Sequence, residues 1–414
     1  MIKLKHLLIL TLPLLSYGDT LKELLNYATI NNNLVVAKQY TQDAAKKELD
    51  FKESSFYPTI DIGAAYKRDD DVSPFQAGDT LNAFAKIGFD IYDGGKTSAN
   101  INQAKESLKS SEFDAKAYKE SLSLEIVQDF FNIKSLESSL NAKREAQETL
   151  KAQLQRIKKF YAAKLATQDA IDRVQADFDT NRYAMESTKF QILSLKSSLE
   201  LKVGKRISSL TDSTFKKELS TEYEVQDSIK ALISQKGSIK YAAEAVDSFY
   251  YPNIKIEDTY NLYSFDRLAI PPGLNAEPLE NQNTLLLSLN FRVFDFGEIS
   301  QVKEATLLKA KALESQIAYK TKAQELQYEL SKRRISTTLA KINSAKSALI
   351  AAKSAFETIE KKYNAGIVDY IVYLDTLTKK TGSQALYESS LNELEIAYAI
   401  LYYNSAKNLQ EELK

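Results

Sequence analysis

Cysteine and tryptophan are absent from this 414-residue chain, and histidine occurs once, as His6. His6 lies in a segment that reads as a removable leader, so the mature chain is expected to hold neither imidazole nor thiol. That excludes Ser-His-Asp and Cys-His nucleophiles, zinc sites built on His or Cys, and dithiol redox chemistry. With only two methionines besides, the composition argues against a dedicated copper route. An excess of basic charge is also lacking. The 55 basic residues are matched by 55 acidic ones, and losing Lys3 and Lys5 with the leader leaves a net charge of −2. Nothing there points to nucleic acid. After the leader no apolar run reaches the ~18 residues of a membrane helix, so entry into a bilayer has to use strands. No catalytic constellation and no cofactor motif is present, so the chain reads as a non-enzyme. Gly94-Gly95 is not a phosphate loop, because no Lys-Ser/Thr pair follows at the required spacing.

The leader is residues 1–18. Lys3 and Lys5 form its basic start, Leu7 to Leu15 its apolar stretch, and Ser16 and Gly18 the small residues before a cut at Asp19. This is the pattern of a secretory signal peptide, too short to span as a helix.

Glycine and proline are missing from Lys96 to Val203 and again from Glu298 to Ala365. Both tracts are rich in Ala, Leu, Lys, Glu and Gln, which favour helix. A single helix from Lys96 to Phe160 would run roughly 95 Å. Ala345, Leu349, Ala352, Phe356, Ile359 and Tyr363 step by four and three, a heptad seam. Leu150, Leu154, Ile157 and Tyr161 repeat it. The remaining faces are charged or hydroxylated, which predicts helices packed side by side with wet surfaces.

Two short regions alternate with period two. Ile60, Ile62, Ala64 and Tyr66 alternate with Asp61, Gly63, Ala65 and Lys67, and Ala83 to Ile91 does the same. Ile254, Ile256, Tyr260 and Leu262 face away from Lys255, Glu257, Thr259 and Asn261, and Leu285 to Val293 alternates likewise. Such segments suit tilted membrane strands with lipid on one face and lumen on the other; taken alone, the alternation suits a soluble sandwich equally.

The two regions are copies. Phe56-Tyr57-Pro58 recurs as Tyr250-Tyr251-Pro252, and the Phe89 to Gly95 segment recurs as Phe291 to Gly297, with strand-to-helix corners at Gly94, Gly95 and Gly297. The helices then turn at Phe160 to Lys164 and at Lys362 to Gly366. The expected organisation is two repeats. Residues 19–210 hold a helix, a β-hairpin over 57–92 and a helical hairpin over 96–206. Residues 211–414 hold a helix, a β-hairpin over 251–294 and a helical hairpin over 298–413.

The paired Tyr-Pro strand starts, the paired Phe-x-[Ile/Val]-[Tyr/Phe]-Asp-x-Gly corners and the Lys-Tyr-Asn-Ala-Gly turn resemble the outer-membrane efflux proteins typified by TolC, over the whole mature chain. The resemblance implies an α+β fold: four membrane strands per protomer, and a long antiparallel coiled-coil helical barrel. Three protomers would form a twelve-stranded β-barrel and a periplasmic α-tunnel in the Gram-negative outer membrane. It implies a passive exit duct of a tripartite efflux or type I secretion system, working with a periplasmic adaptor and an inner-membrane transporter. By the same resemblance Asp375 falls on an acidic constriction ring, Val372 on the other ring position and Val368 on the position of a gating arginine. Tyr363 matches a tyrosine of the closed-state hydrogen bonds, Asp169 lies within one residue of a further gating aspartate, and Lys164 stands where the family has its first tip glycine. Asp369 reads as a helix N-cap after Gly366. The competing reading is a periplasmic or surface coiled-coil interaction protein without a pore, which gives the alternating strands no role.

Overall fold

The computed structural model describes residues 18–73, 76–219, 222–269, 273 and 279–414. Apart from Gly18, the expected leader lies outside the described residues. In chain order the elements are α1 (Leu21–Asn31), α2 (Asn33–Ser54), β1 (Thr59–Arg68), β2 (Asp79–Tyr92), α3 (Lys96–Ala162) and α4 (Gln168–Val203). There follow α5 (Asp227–Asp247), β3 (Asn253–Asp266), β4 (Asn281–Asn290), α6 (Glu298–Asn364) and α7 (Tyr370–Asn404). No described helix is long and apolar enough to cross a membrane. The chain divides into two compact units, Met1–Ala37 with Lys116–Asp227 and Thr321–Lys414, and Lys38–Ala115 with Ser228–Lys320. Each draws on both halves of the chain, so neither coincides with residues 19–210 or 211–414.

The second unit carries one antiparallel sheet in the order β1-β2-β3-β4. Thr59 opposes Gly88, Asp79 opposes Asp266, and Asn253 opposes Asn290. The alternation therefore sorts the side chains by face. Ile60, Ile62, Ile87, Leu285 and Leu287 share one face, and Asp61, Lys86, Glu257 and Thr259 the other. Ile60 is 74% and Ile62 84% exposed, an apolar surface that water does not favour. The first hairpin begins at Thr59 rather than residue 57, because Pro58 has no N–H to give a ladder. The second ends at Asn290, short of the expected 294. Its neighbour β3 starts at Asn253, opposite Asn290, so Phe291 to Phe294 have no strand among the described residues to pair with.

Short side chains bring the helices of this unit close. Ser107 and Ser238 hydroxyls meet at 2.8 Å, and Ser110 Oγ donates to the Ala231 carbonyl at 2.9 Å. The strand-to-helix corners are built alike. The Asp93 carboxylate accepts from the N–H groups of Gly95 and Thr97 at 3.0 and 2.6 Å. Asp295 accepts from Gly297 and Ile299 at 3.0 and 2.8 Å. Each acid thus satisfies free donors at the start of a 67-residue helix. Both corners need two left-handed residues, Gly94 and Gly95 at φ 69° and 85°, and Phe296 and Gly297 at φ 55° and 86°.

In the first unit, α1 buries Leu21, Leu24, Leu25 and Ala28 against Phe130 and Phe131 of α3, Leu199 of α4 and Tyr402 of α7. Thr20 and Glu23 form a reciprocal capping box at its start. Phe215 enters the same core, and its N–H donates to the buried Glu395 carboxylate at 2.8 Å. Of the heptad seam, Ala345, Leu349, Phe356, Leu150 and Leu154 are buried, whereas Tyr161 is exposed.

The corners generate a paired prediction. Phe296, 91% exposed, carries the strain of a left-handed side-chain-bearing residue, so Phe296→Gly should raise stability by about 1 kcal/mol. A Cβ at Gly94 would stand 2.6 Å from the Ser248 carbonyl oxygen, so Gly94→Ala should lower it by more than that. Urea midpoints of the detergent-solubilised protein check both signs.

Candidate functional site

The two helical turns of the first unit have the same backbone. At the first, the Lys164 N–H donates to the Tyr161 carbonyl at 2.9 Å and the Leu165 N–H to the Phe160 carbonyl at 2.8 Å. At the second, Gly366 donates to Tyr363 at 3.1 Å and Ile367 to Lys362 at 2.9 Å. These are two Schellman closures, which satisfy the last free carbonyls of α3 and α6. The motif demands a left-handed residue at one position, filled by Gly366 at φ 75° and by Lys164 at φ 61°. Lysine therefore takes up the glycine conformation, at a steric cost, and the turn is kept. The cap of the next helix follows three residues later in each case. The Thr167 hydroxyl accepts from the Ala170 N–H at 3.4 Å, and the Asp369 carboxylate from the Val372 N–H at 3.0 Å.

An aromatic cluster lies beside the second turn. Tyr373 of α7 is fully buried; Tyr363 stacks on it at 4.7 Å, and Phe356 and Tyr370 lie 5.6 and 6.2 Å from it. The Tyr370 hydroxyl donates to the Asp177 carboxylate of α4 at 3.1 Å. Gln153 of α3 approaches the Tyr373 hydroxyl through its amide nitrogen at 3.5 Å, while its Oε1 is buried without a partner. Four helices converge on these rings.

Arg156 of α3 closes the cluster. Its guanidinium lies 5.2 Å from the centre of the Phe160 ring and 5.2 Å from that of Tyr363. One nitrogen donates to the Asn364 carbonyl at 3.2 Å, and another to the Asn364 side chain. A guanidinium with two ring faces and a helix-terminal carbonyl has both cation–π and charge-assisted bonds to lose. The resemblance put an arginine position at Val368, which is partly buried beside the turn. In this chain the guanidinium at the turn comes from the other hairpin, 208 residues from its Asn364 partner.

Val372 and Asp375 stand on a different face of α7 from Tyr373. Val372 is 40% exposed. Asp375 is exposed and bonds to Lys379, one helical turn on, at 2.7 Å. Asp169 is exposed too and pairs with Arg173 at 2.8 Å. Within one chain, then, Tyr363 joins the cluster, while Asp375 and Asp169 each bond within their own helix and not to each other. Arg156, Gln153, Asp177, Tyr370 and Tyr373 were not singled out from the sequence. The signal that could have marked Tyr370 and Tyr373 is aromatic density just after a glycine turn. No grouping of three or more Asp, Glu, His or Cys able to hold a metal exists among the described residues.

Burial pushes the Tyr373 hydroxyl up to about 12. Burial, then the Asp177 carboxylate, also raises Tyr370. In the unfolded chain a tyrosine ionises near pH 10. Below that pH the stabilisation is fully present, and it is lost as pH rises toward about 12, because the unfolded state gives up its proton first. Stability should therefore fall over roughly pH 10 to 12. Tyr373→Phe should flatten part of that fall in thermal melts taken across the range.

The family model described as "Outer membrane efflux protein" matches residues 24–205. No curated protein sequence matches the chain significantly. Among solved structures, a membrane protein from Pseudomonas aeruginosa is similar with a TM-score of 0.82 at 15% identity, over 93% of each chain. VceC, an outer membrane protein of Vibrio cholerae, is similar with a TM-score of 0.79 at 14% identity, over 94% of this chain and 96% of that one. The CmeC outer membrane channel of Campylobacter jejuni gives 0.83 at 15% identity, over 93% and 85%. Likenesses at this identity are likenesses of fold. The segment 24–205 is thus similar to the outer membrane efflux proteins, and the chain has the fold of TolC-like outer membrane channels.

Proposed function

We propose that this outer-membrane efflux duct works as a homotrimer and as the passive exit of a tripartite efflux or type I secretion system. Each of the two halves of the chain is one copy of the same helix, β-hairpin and helical-hairpin unit. Three protomers give twelve strands to one barrel, and their long helices line a periplasmic tunnel. A periplasmic adaptor and an inner-membrane transporter supply cargo and energy, and outer-membrane lipid surrounds the strands. The duct carries out no reaction and needs no cofactor or nucleic acid.

The observation that carries this reading is the four-stranded sheet with one apolar face, one polar face and two open edges. In lipid the edges have to be closed, and four strands are too few to close on themselves. The exposed Ile60, Ile62 and Leu285 also count against a coiled-coil interaction protein without a pore, which has no use for a lipid-like face.

The turn region is the gate of this duct. Arg156 ties the ends of α3 and α6 together in the closed arrangement, and Asp375 stands on an exposed face of α7, where three copies form an acidic ring. Its charge is partly offset by Lys379. Three carboxylates around one axis favour cations.

Single-channel recording in planar bilayers tests the reading. The wild type is expected to show a cation-preferring conductance. Asp375→Ala, which leaves Lys379 without its acid, should move selectivity toward anions. Arg156→Ala should raise the open fraction roughly tenfold, the effect of losing a charged hydrogen bond. Trimers whose selectivity ignores Asp375 would remove it from the ring, and trimers that never conduct would refute the duct.

A further inference from the structure

The two hairpins of the sheet are related by fixed numbering offsets. Adding 194 to a β1 residue and 202 to a β2 residue turns Thr59 opposite Gly88 into Asn253 opposite Asn290. The last pair, Arg68 opposite Asp79, becomes Leu262 opposite Asn281. The same ladder is therefore written twice. The pairing between the hairpins, β2 with β3, is observed once in the chain. Its repeat lies between β4 and a β1 that only another copy can supply. We infer that copies of this chain join edge to edge through β4 of one and β1 of the next, in the register that sets Arg292 opposite the partner's Asp61 and Leu285 opposite the partner's Arg68. The inference rests on the trimeric duct proposed above and specifies its seam.

Four observations converge on this register. First, Asp90 opposes Lys255 across the β2–β3 pair. The offsets carry that pair onto Arg292 and the partner's Asp61, so the charges exchange sides and remain complementary. Secondly, Asp61 forms no ion pair among the described residues, and Lys255 feels its charge only at a distance. Lys86, directly opposite Asp61, turns to Glu257 at 2.7 Å, and Lys255 takes the same carboxylate at 2.9 Å.

Thirdly, Ile60, Ile87, Asp258 and Leu285 form one row across the apolar face. Asp258 is the one charged member of that row, and its Oδ1 is buried with no hydrogen-bond partner. A carboxylate at this depth calls for a partner. The register places the partner's Arg68 at the end of the same row, beyond Leu285. Two strand spacings, roughly 10 Å, separate the backbones, which an extended arginine and an aspartate bridge together. Within its own chain Arg68 approaches Asp79 only to 3.9 Å, while Arg267 holds that acid at 2.6 Å.

Fourthly, the alternating pattern extends to Val293, yet β4 stops at Asn290. In β2 the equivalent residues Phe89 to Tyr92 are strand because Ile256, Lys255 and Ile254 pair with them. In the proposed seam the partner's Ile62, Asp61 and Ile60 pair with Phe291 to Phe294 and complete the short strand.

The cysteine-free chain makes the test direct. Directly opposed antiparallel residues lie about 4.5–5.5 Å apart at Cα, inside the range a disulfide needs. Arg292→Cys combined with Asp61→Cys should crosslink purified trimers on mild oxidation. The displaced pairs Arg292→Cys with Thr59→Cys, and Arg292→Cys with Gly63→Cys, should give at least about fivefold less. Higher yield from a displaced pair overturns the register while leaving the trimer intact, and so does an absence of crosslinks in verified trimers. Particles that are monomeric by mass overturn the trimer itself. Charge exchange gives a second readout should the cysteine variants fail to fold. Arg292→Asp should lower the temperature at which the oligomer dissociates in detergent, and adding Asp61→Arg should restore it. No restoration overturns the pairing.

Discussion

A sheet of four strands placed in hydrocarbon leaves the outward N–H and C=O groups of β1 and β4 with nothing to bond, and every such group costs several kcal/mol there. The order β1-β2-β3-β4 has two such edges and no means of joining them within one chain. The rest of the strand unit is arranged around that need. One face is aliphatic and the other polar, the apolar face is left bare, and the pattern of β4 runs beyond the last residue that its own chain can pair. A soluble sheet would cover its apolar face and blunt its edges. This one does neither.

Duplication explains how a single chain meets so many fixed geometric demands. Each half has to leave a strand, turn a corner into a 67-residue helix, reverse, and return. The chain solves the corner twice with an aspartate that accepts two N–H groups, and the reversal twice with the same pair of 6→1 and 5→2 hydrogen bonds. The copies have diverged in side chains where the backbone has not. Phe296 repeats Gly94 and Lys164 repeats Gly366, each holding a positive φ that its side chain disfavours. Surrounding hydrogen bonds set these conformations against residue preference. The divergence also differentiates the turns: the second gathers Tyr363, Tyr370 and Tyr373 into a packed cluster, and the first contributes Arg156 to it from outside.

Much of the fold was legible because its periods are long and uninterrupted. The absence of Gly and Pro over two tracts marked α3, α4 and α6, and the heptad steps at Ala345, Leu349 and Phe356 marked the buried seam. Period-two alternation located all four strands. The ends were less legible, for physical reasons. Tyr161 continues the seam in sequence but is exposed, because its helix unwinds into the turn one residue later. Phe291 and Val293 carry a strand pattern that a lone chain cannot realise. The turn region was read in part. Asp369 was read from local sequence as the cap it is, and Tyr363 was placed at the turn by the heptad steps and the resemblance. Arg156 was not, since its hydrogen-bond partner Asn364 lies 208 residues away and nothing near it in sequence distinguishes it from its neighbouring lysines. Asp258 was passed over in a row of apolar residues, although a lone acid in such a row is itself the signal.

Backbone hydrogen exchange on the detergent-extracted protein, resolved to individual strands, tests the closing of the edges most directly. If other copies complete the barrel, the amides of β1 and β4 should be protected to the same degree as those of β2 and β3, which are paired on both sides within one chain. Protection should also extend past Asn290 into residues 291–294. Rapid exchange along β1 and β4 beside slow exchange in β2 and β3 would mean open edges, and would contradict a closed membrane barrel.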